Sequence, residues 1–245
     1  KLMEEPQQPS ISQRIDWLLE HIYSPFENNL SDVALSQAII SPLARAATLS
    51  TSEANFRTLR TLLVQQGLFE WRTYGGDIVS TMLGIERYEN LKVEISNSTE
   101  IFLAMWFDDE MDGFYEHIEE TIEQELKLKV IRIDRKEHNN KIDDEIIAHL
   151  KSCRLVIADF TCGNNGLAHR GGVYYEAGLA HGLNKPVIFT AQKDCIEGVH
   201  FDTRQHNHIL WVKDGEGFFE AGETDLEKRK TLGERIVKRI QAMEN

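Results

Sequence analysis

The chain reads as a doubly wound α/β domain with five parallel strands, preceded by a small helical module. Three observations carry that reading. From Ile101 onward short apolar runs alternate with amphipathic helical stretches. Ahead of that point apolar residues recur at helical spacing, and one Gly-punctuated hairpin follows them. Residues 155–160 (LVIADF) form an apolar run ending on a carboxylate, followed by a Gly-rich loop, GGVYYEAGLAHGLN and KPVIF. That order is strand, helix, strand, with Asp159 at a strand's carboxyl end.

Residues 1–96 are taken first. Ile11, Ile15, Leu18, Leu19 and Ile22 make one apolar stripe; Val33, Leu35, Ala38 and Ile39 make a second, broken at Pro42. Ser50 and Glu53 have capping-box spacing ahead of a helix with Phe56, Leu59, Leu62 and Leu63 inward, stopped by Gly67. Residues 68–74 and 78–82, joined by Gly75-Gly76, predict a small hairpin, and residues 84–91 a closing helix. Helices followed by such a wing predict a winged-helix-like module that reads DNA through the Phe56 helix. Charge disfavours DNA: residues 1–96 hold 8 basic and 12 acidic side chains, and only Arg57 and Arg60 decorate that helix. Dimerisation or docking to a partner is the reading preferred.

Residues 93–100 predict a polar linker, so the second domain is placed at 97–245. Its strands are expected at 101–107, 129–133, 155–160, 187–189 and 209–212. Helical stripes intervene: Met111 to Leu126, Ile142 to Leu150, Val173 to Leu183 with Asn184 capping its end, and a last helix with Leu232, Ile236, Ile240 and Met243. The topology this predicts is flavodoxin-like.

In such a sheet ligands sit outside the strands' carboxyl ends. That edge should gather Trp106 and Asp108, Asp134 and Arg135, and Asp159, beside Gly171, Gly172 and Glu176 at a helix start. Carboxylates suit ribose hydroxyls, an aromatic ring stacks on a base, and a helix N-terminus with two glycines receives a phosphate. Glu176, in the first turns of its helix, is the expected nucleophile, and Asp159 is either a second catalytic carboxylate or a loop-holding group. Asp143 either meets substrate or serves its helix N-terminus, as Asp144 does. Of the adjacent Tyr174 and Tyr175 only one can face the site, and Tyr175 is assigned to it. In HFDTRQHNH an extended chain would project His200, Asp202, Arg204, His206 and His208 to one side. Arg204 and His206 are read as parts of a loop that covers the substrate. A guanidinium amid the ligands argues against a metal there, and no resident cofactor is expected.

Composition bounds the rest. A formal charge of −13 argues against non-specific contact with nucleic acid or anionic membranes. No apolar run approaches the ~20 residues a bilayer span requires. Three cysteines without CxxC spacing fit reduced thiols of a cytoplasmic protein.

KIDDEIIAHLKSCRLVIADF followed by GGVYYEAGLAHGLNKPVIF resembles the nucleoside 2-deoxyribosyltransferase-like family, related to TIR-like nucleotide glycosidases. The likeness covers about residues 101–212. It implies a flavodoxin-like fold, a nucleoside or nucleotide ligand, and action on an N-glycosidic bond with Glu176 as nucleophile. Apart from the resemblance, a homo-oligomer is one arrangement the sequence leaves open. Family members often carry an acid six positions before the nucleophile. Here that position is Arg170, which favours a phosphorylated substrate.

Overall fold

The computed structural model describes residues 9–23, 32–71, 78–133, 142–163, 170–215, 217–223, 225 and 228–243, without the side chains of 32–35 and 142–145. The chain divides into two compact units, Lys1–Asn97 and Ser98–Asn245.

The first unit holds α1 (Ile11–Tyr23), α2 (Asp32–Ile40), α3 (Pro42–Ala47), α4 (Glu53–Gln65), the antiparallel pair β1 (Phe69–Trp71) and β2 (Ile78–Ser80), and α5 (Met82–Ser96). The expected stripe of α1 is buried from Ile15 to Ile22 and meets Phe56, Leu59 and Leu63 of α4 in one core. Ser52 caps α4 by accepting the Asn55 N–H at 3.2 Å, so the cap lies two residues beyond the predicted Ser50–Glu53 box. Ser50 is instead buried, bonded to Thr48 at 2.8 Å and to Arg14 at 2.9 Å, because α1 packs across that turn. Helix α5 starts two residues before the expected point and runs through the first half of the predicted linker, capped by Thr81, which accepts the Gly84 N–H at 3.0 Å. A Cβ at Gly84 would sit 2.1 Å from the Leu68 carbonyl oxygen, so only glycine lets α5 lie this close to the chain entering β1.

The second unit contains β3 (Glu100–Ala104), α6 (Asp112–Leu126), β4 (Lys129–Ile131), α7 (Ile142–Ser152), β5 (Leu155–Asp159), α8 (Gly171–Gly182), β6 (Val187–Gln192), α9 (Phe201–Arg204), β7 (Ile209–Asp214), β8 (Gly217–Glu220) and α10 (Leu232–Met243). Its curled sheet runs β4-β3-β5-β6-β7-β8; the first five strands are parallel and β8 is antiparallel to β7. Five strands were expected and six are present. Asp214-Gly215, with Gly215 at φ 59°, turns the chain back as a hairpin, a signal present in the sequence.

Alternation along the strands divides the interior. Ile101, Leu103, Leu155, Ile157 and Trp211 face α6 and α10; Phe102, Ala104, Val156, Ala158 and Phe189 face α7 and α8. Each face is covered by helices, which is why β3 after Glu100 and β5 up to Asp159 are apolar. The Gly233 N–H at the start of α10 is donated to His117 Nε2 on α6, at 3.2 Å. The outer edge of β8 is covered in part by the Glu220 N–H to Lys230 carbonyl bond and the bridge from Phe219 to Thr231. Among the described residues no helix is long and apolar enough to cross a membrane.

His208, just ahead of β7, packs its ring 5.7 Å from Phe160 and 5.4 Å from Phe189, with both ring nitrogens buried and unbonded. Burial first, and His206 second, push its pKa down to about 4. The unfolded imidazole takes up a proton near pH 6.5 and the folded one only near 4, so protonation in that window favours unfolding. His208→Phe is therefore expected to gain on the wild type by about 1–2 kcal/mol between pH 7 and pH 5, after discount for a half-buried ring. Urea unfolding at both pH values measures it, and a pH-independent difference would contradict a neutral buried His208.

Candidate functional site

The carboxyl edge of the sheet is organised by Asp159. It closes β5 with no exposed surface, paired across the ladder with Thr190 of β6. Its Oδ2 accepts the Thr190 hydroxyl at 2.6 Å and the Trp211 indole N–H at 2.9 Å; its Oδ1 accepts the Thr161 N–H at 3.0 Å. Burial raises its pKa above the usual carboxylate range, and the bonds from Thr161, Thr190 and Trp211 pull it back. With no exposed surface and its oxygens bonded inward, this carboxylate does not reach a ligand. The catalytic reading of Asp159 gives way to the structural one: it fixes where the next loop begins.

That loop is stitched onward. Thr161 Oγ1 accepts the Gln192 N–H at 2.9 Å, and the Cys162 carbonyl accepts the Cys195 thiol at 3.3 Å. Gly163 then lies against Trp106: a Cβ there would fall 2.6 Å from the indole ring. Arg170 returns to the same ring, its guanidinium 4.3 Å from the centroid, while its Nε is shielded from solvent without a hydrogen-bond partner. Trp106 and Arg170 are thus brought together, as expected, but one ring face is already covered by the cation.

Arg170 is also the residue preceding α8, and its side chain makes no capping hydrogen bond. Gly171 is exposed, with no atom of the described residues within 4 Å of where its Cβ would lie, and Gly172 is half-buried. The dipole of the helix is positive at this end and attracts an anion. Glu176 follows in the second turn at 9% exposure, among the few charged residues of the chain that are buried. Tyr175, one position earlier, is 57% exposed and lies on the solvent side. Tyr174 is the packed member of the pair: its ring meets Phe160 edge-on at 4.9 Å, and its hydroxyl accepts the His200 N–H at 3.0 Å.

Other expected members lie elsewhere. Asp108 caps the short 3₁₀ turn Asp109–Met111 by accepting the Glu110 N–H at 3.1 Å, a local structural task. His206 stacks on Phe189 at 4.3 Å and meets His181 at 5.2 Å, at the end of α8 remote from Gly171. It cannot share the edge on which α8 begins, because the chain from β6 must cross back to the amino edge before β7 starts. Arg204 pairs with Glu197 at 2.8 Å, and His200, not Arg204, approaches Asp202, at 3.5 Å. Part of the expected extended histidine run is helical, in α9, so its side chains do not share one side. Asp134 and Arg135 lie outside the described residues, as does the side chain of Asp143. Among the described residues no group of three His, Cys, Asp or Glu is placed to hold a metal ion.

Sequence reasoning passed over Trp211, Thr190 and Thr161, all of which serve Asp159. Their signal was available: a Trp inside a strand needs a partner for its indole N–H. No protein-family model and no curated protein matches the chain.

Asp159→Ala leaves the Trp211 indole, the Thr190 hydroxyl and the Thr161 N–H without their acceptor. A loss of about 3–5 kcal/mol in urea unfolding is expected, against about 1 kcal/mol for Thr190→Val. Equal losses would mean that the carboxylate is not the hub.

Proposed function

We propose that the Ser98–Asn245 unit binds a nucleotide and cleaves or transfers at its N-glycosidic bond, with Glu176 as nucleophile. The observation that carries this reading is a carboxylate at 9% exposure in the second turn of α8, the helix that starts from the sheet's carboxyl edge beside Arg170. A sheltered carboxylate beside a sheet's carboxyl edge is a candidate reactive group. Glu176 attacks the anomeric carbon as the bond to the base breaks; water or a second acceptor then displaces the carboxylate. The parallel strand order, second-first-third-fourth-fifth along the chain, supports a flavodoxin-like fold. The resemblance to nucleoside 2-deoxyribosyltransferase-like proteins supports the bond attacked.

A nucleotide sensor is the second reading, favoured by the division into two compact units. In it the first unit, read as winged-helix-like, relays occupancy to a protein partner. Along α4, Glu53, Arg57, Thr58 and Thr61 line an open groove of about 360 Å³, a surface such a partner would use. Arg60 is drawn away to Glu53 at 3.2 Å and lies over Phe56, which leaves that helix poor in cations for DNA.

Glu176→Gln keeps the shape and removes the nucleophile, so base release from a nucleotide or NAD panel is expected to fall on the order of 10³-fold or more. Chromatography of the free base measures it; turnover at the wild-type rate would overturn the assignment, and ligand binding without turnover in wild type would establish the sensor.

Arg170 should select a phosphorylated ligand. Arg170→Ala is expected to weaken a nucleoside 5′-phosphate by about one to two decades while barely changing the nucleoside, as loss of a charge-assisted contact costs about 1.5–3 kcal/mol. Arg204→Ala, already paired with Glu197, should change neither. Calorimetry of both ligands on both variants decides it; equal weakening by Arg170→Ala would show that this residue does not read phosphate.

A further inference from the structure

We propose that Cys162 and Cys195 are a reversible redox pair whose disulfide locks residues 161–163 at the end of β5. Its chemistry is independent of the function proposed above; its consequence for turnover rests on Glu176 being the nucleophile.

The two cysteines are buried and free, and they lie on the carboxyl sides of neighbouring strands β5 and β6. Three contacts draw those segments together. Asp159 accepts the Thr190 hydroxyl, Thr161 accepts the Gln192 N–H, and the Cys195 thiol donates to the Cys162 carbonyl. The Cys195 thiol is thereby held 3.3 Å from the backbone of Cys162 itself. A cross-link between them would replace a contact that already exists. Cys153 is the built-in control: it is buried behind α7, where its thiol donates to the Leu150 carbonyl at 3.3 Å.

What the pair holds gives it leverage. The residue after Cys162 is Gly163, which abuts the Trp106 ring, and that ring carries the Arg170 guanidinium at the head of α8. In the reduced protein the Cys162 end of this chain is held by hydrogen bonds that open locally at modest cost. A covalent bond removes that opening.

The chemistry balances with a peroxide as oxidant. One sulfur, as thiolate, attacks the peroxide and breaks its O–O bond; the sulfenic acid forms and the departing oxygen leaves as water. The second thiol then attacks the sulfenic sulfur, the S–S bond forms, and a second water departs. Two electrons pass from two sulfurs to one peroxide. Burial, followed by the neighbouring Cys195, pushes the Cys162 thiol up to about 11. Oxidation is therefore slow at neutral pH and quickens as pH rises toward that value.

The test treats the full chain with hydrogen peroxide, then alkylates it under denaturing conditions and maps its peptides. The expected result is one alkylated thiol of three, that of Cys153, and a peptide linking residues 162 and 195 that a dithiol reductant releases. Cys195→Ser keeps a donor for the Cys162 carbonyl and should remove the link. Hydrogen exchange at residues 161–163 should slow by about threefold or more on oxidation of wild type and not of the variant. A link through Cys153, sulfinic acid in place of the disulfide, or unchanged exchange would each overturn the proposal. If link and slowed exchange both appear while no base is released in either redox state, the pair stands and the glycosidase reading falls.

Discussion

A single buried carboxylate sets the carboxyl edge of the α/β unit. Asp159 is a carboxyl group with no exposed surface, a state that is tolerable because donors from the following loop, from β6 and from β7 converge on it. Three chain segments distant in sequence therefore have to meet at one point. A fault in any of them leaves either an unpaired carboxyl oxygen or an unpaired indole N–H. Hydrophobic burial alone allows strands to slide by small amounts; this arrangement does not.

The site inherits that constraint. Thr161, held by Asp159, in turn holds Gln192, and the next two residues reach Cys195 and the Trp106 ring. Arg170 lies on Trp106 and leads directly into α8, so the start of the Glu176 helix is referred back to the same carboxylate through packed neighbours. Support of this kind suits the reactive carboxylate proposed at Glu176, whose position relative to a ligand would have to hold within a fraction of an ångström.

At the opposite end of α8 the chemistry is different. His181, His206 and His208 gather around Phe189 with no carboxylate among their ring contacts, and burial holds His181 and His208 below the ordinary imidazole pKa. The His181 and His208 rings act as packed aromatics. The long connection from β6 to β7 is likewise structural: Arg204 is bound to Glu197, and the His200 N–H to Tyr174. One end of the helix is thus headed by a cation and the other is set among aromatic rings.

Much of this was legible in the sequence, and for clear reasons. Apolar periodicity depends on local geometry, so the stripe from Met111 to Ile122, the run ending at Asp159 and the left-handed Asn184 after α8 are where the sequence places them. Strand-to-helix order also determined that Trp106, Arg170 and Glu176 belong to the edge where β3 and β5 end. What only the tertiary structure decided is how side chains far apart in sequence pair. The donors that claim Asp159, the displacement of His206 to the far end of α8 and the contact of Cys162 with Cys195 all join distant segments. Periodicity reports which face of an element is buried, but not which residue of another element lies opposite it; that depends on strand order and register, which are global properties of the folded chain.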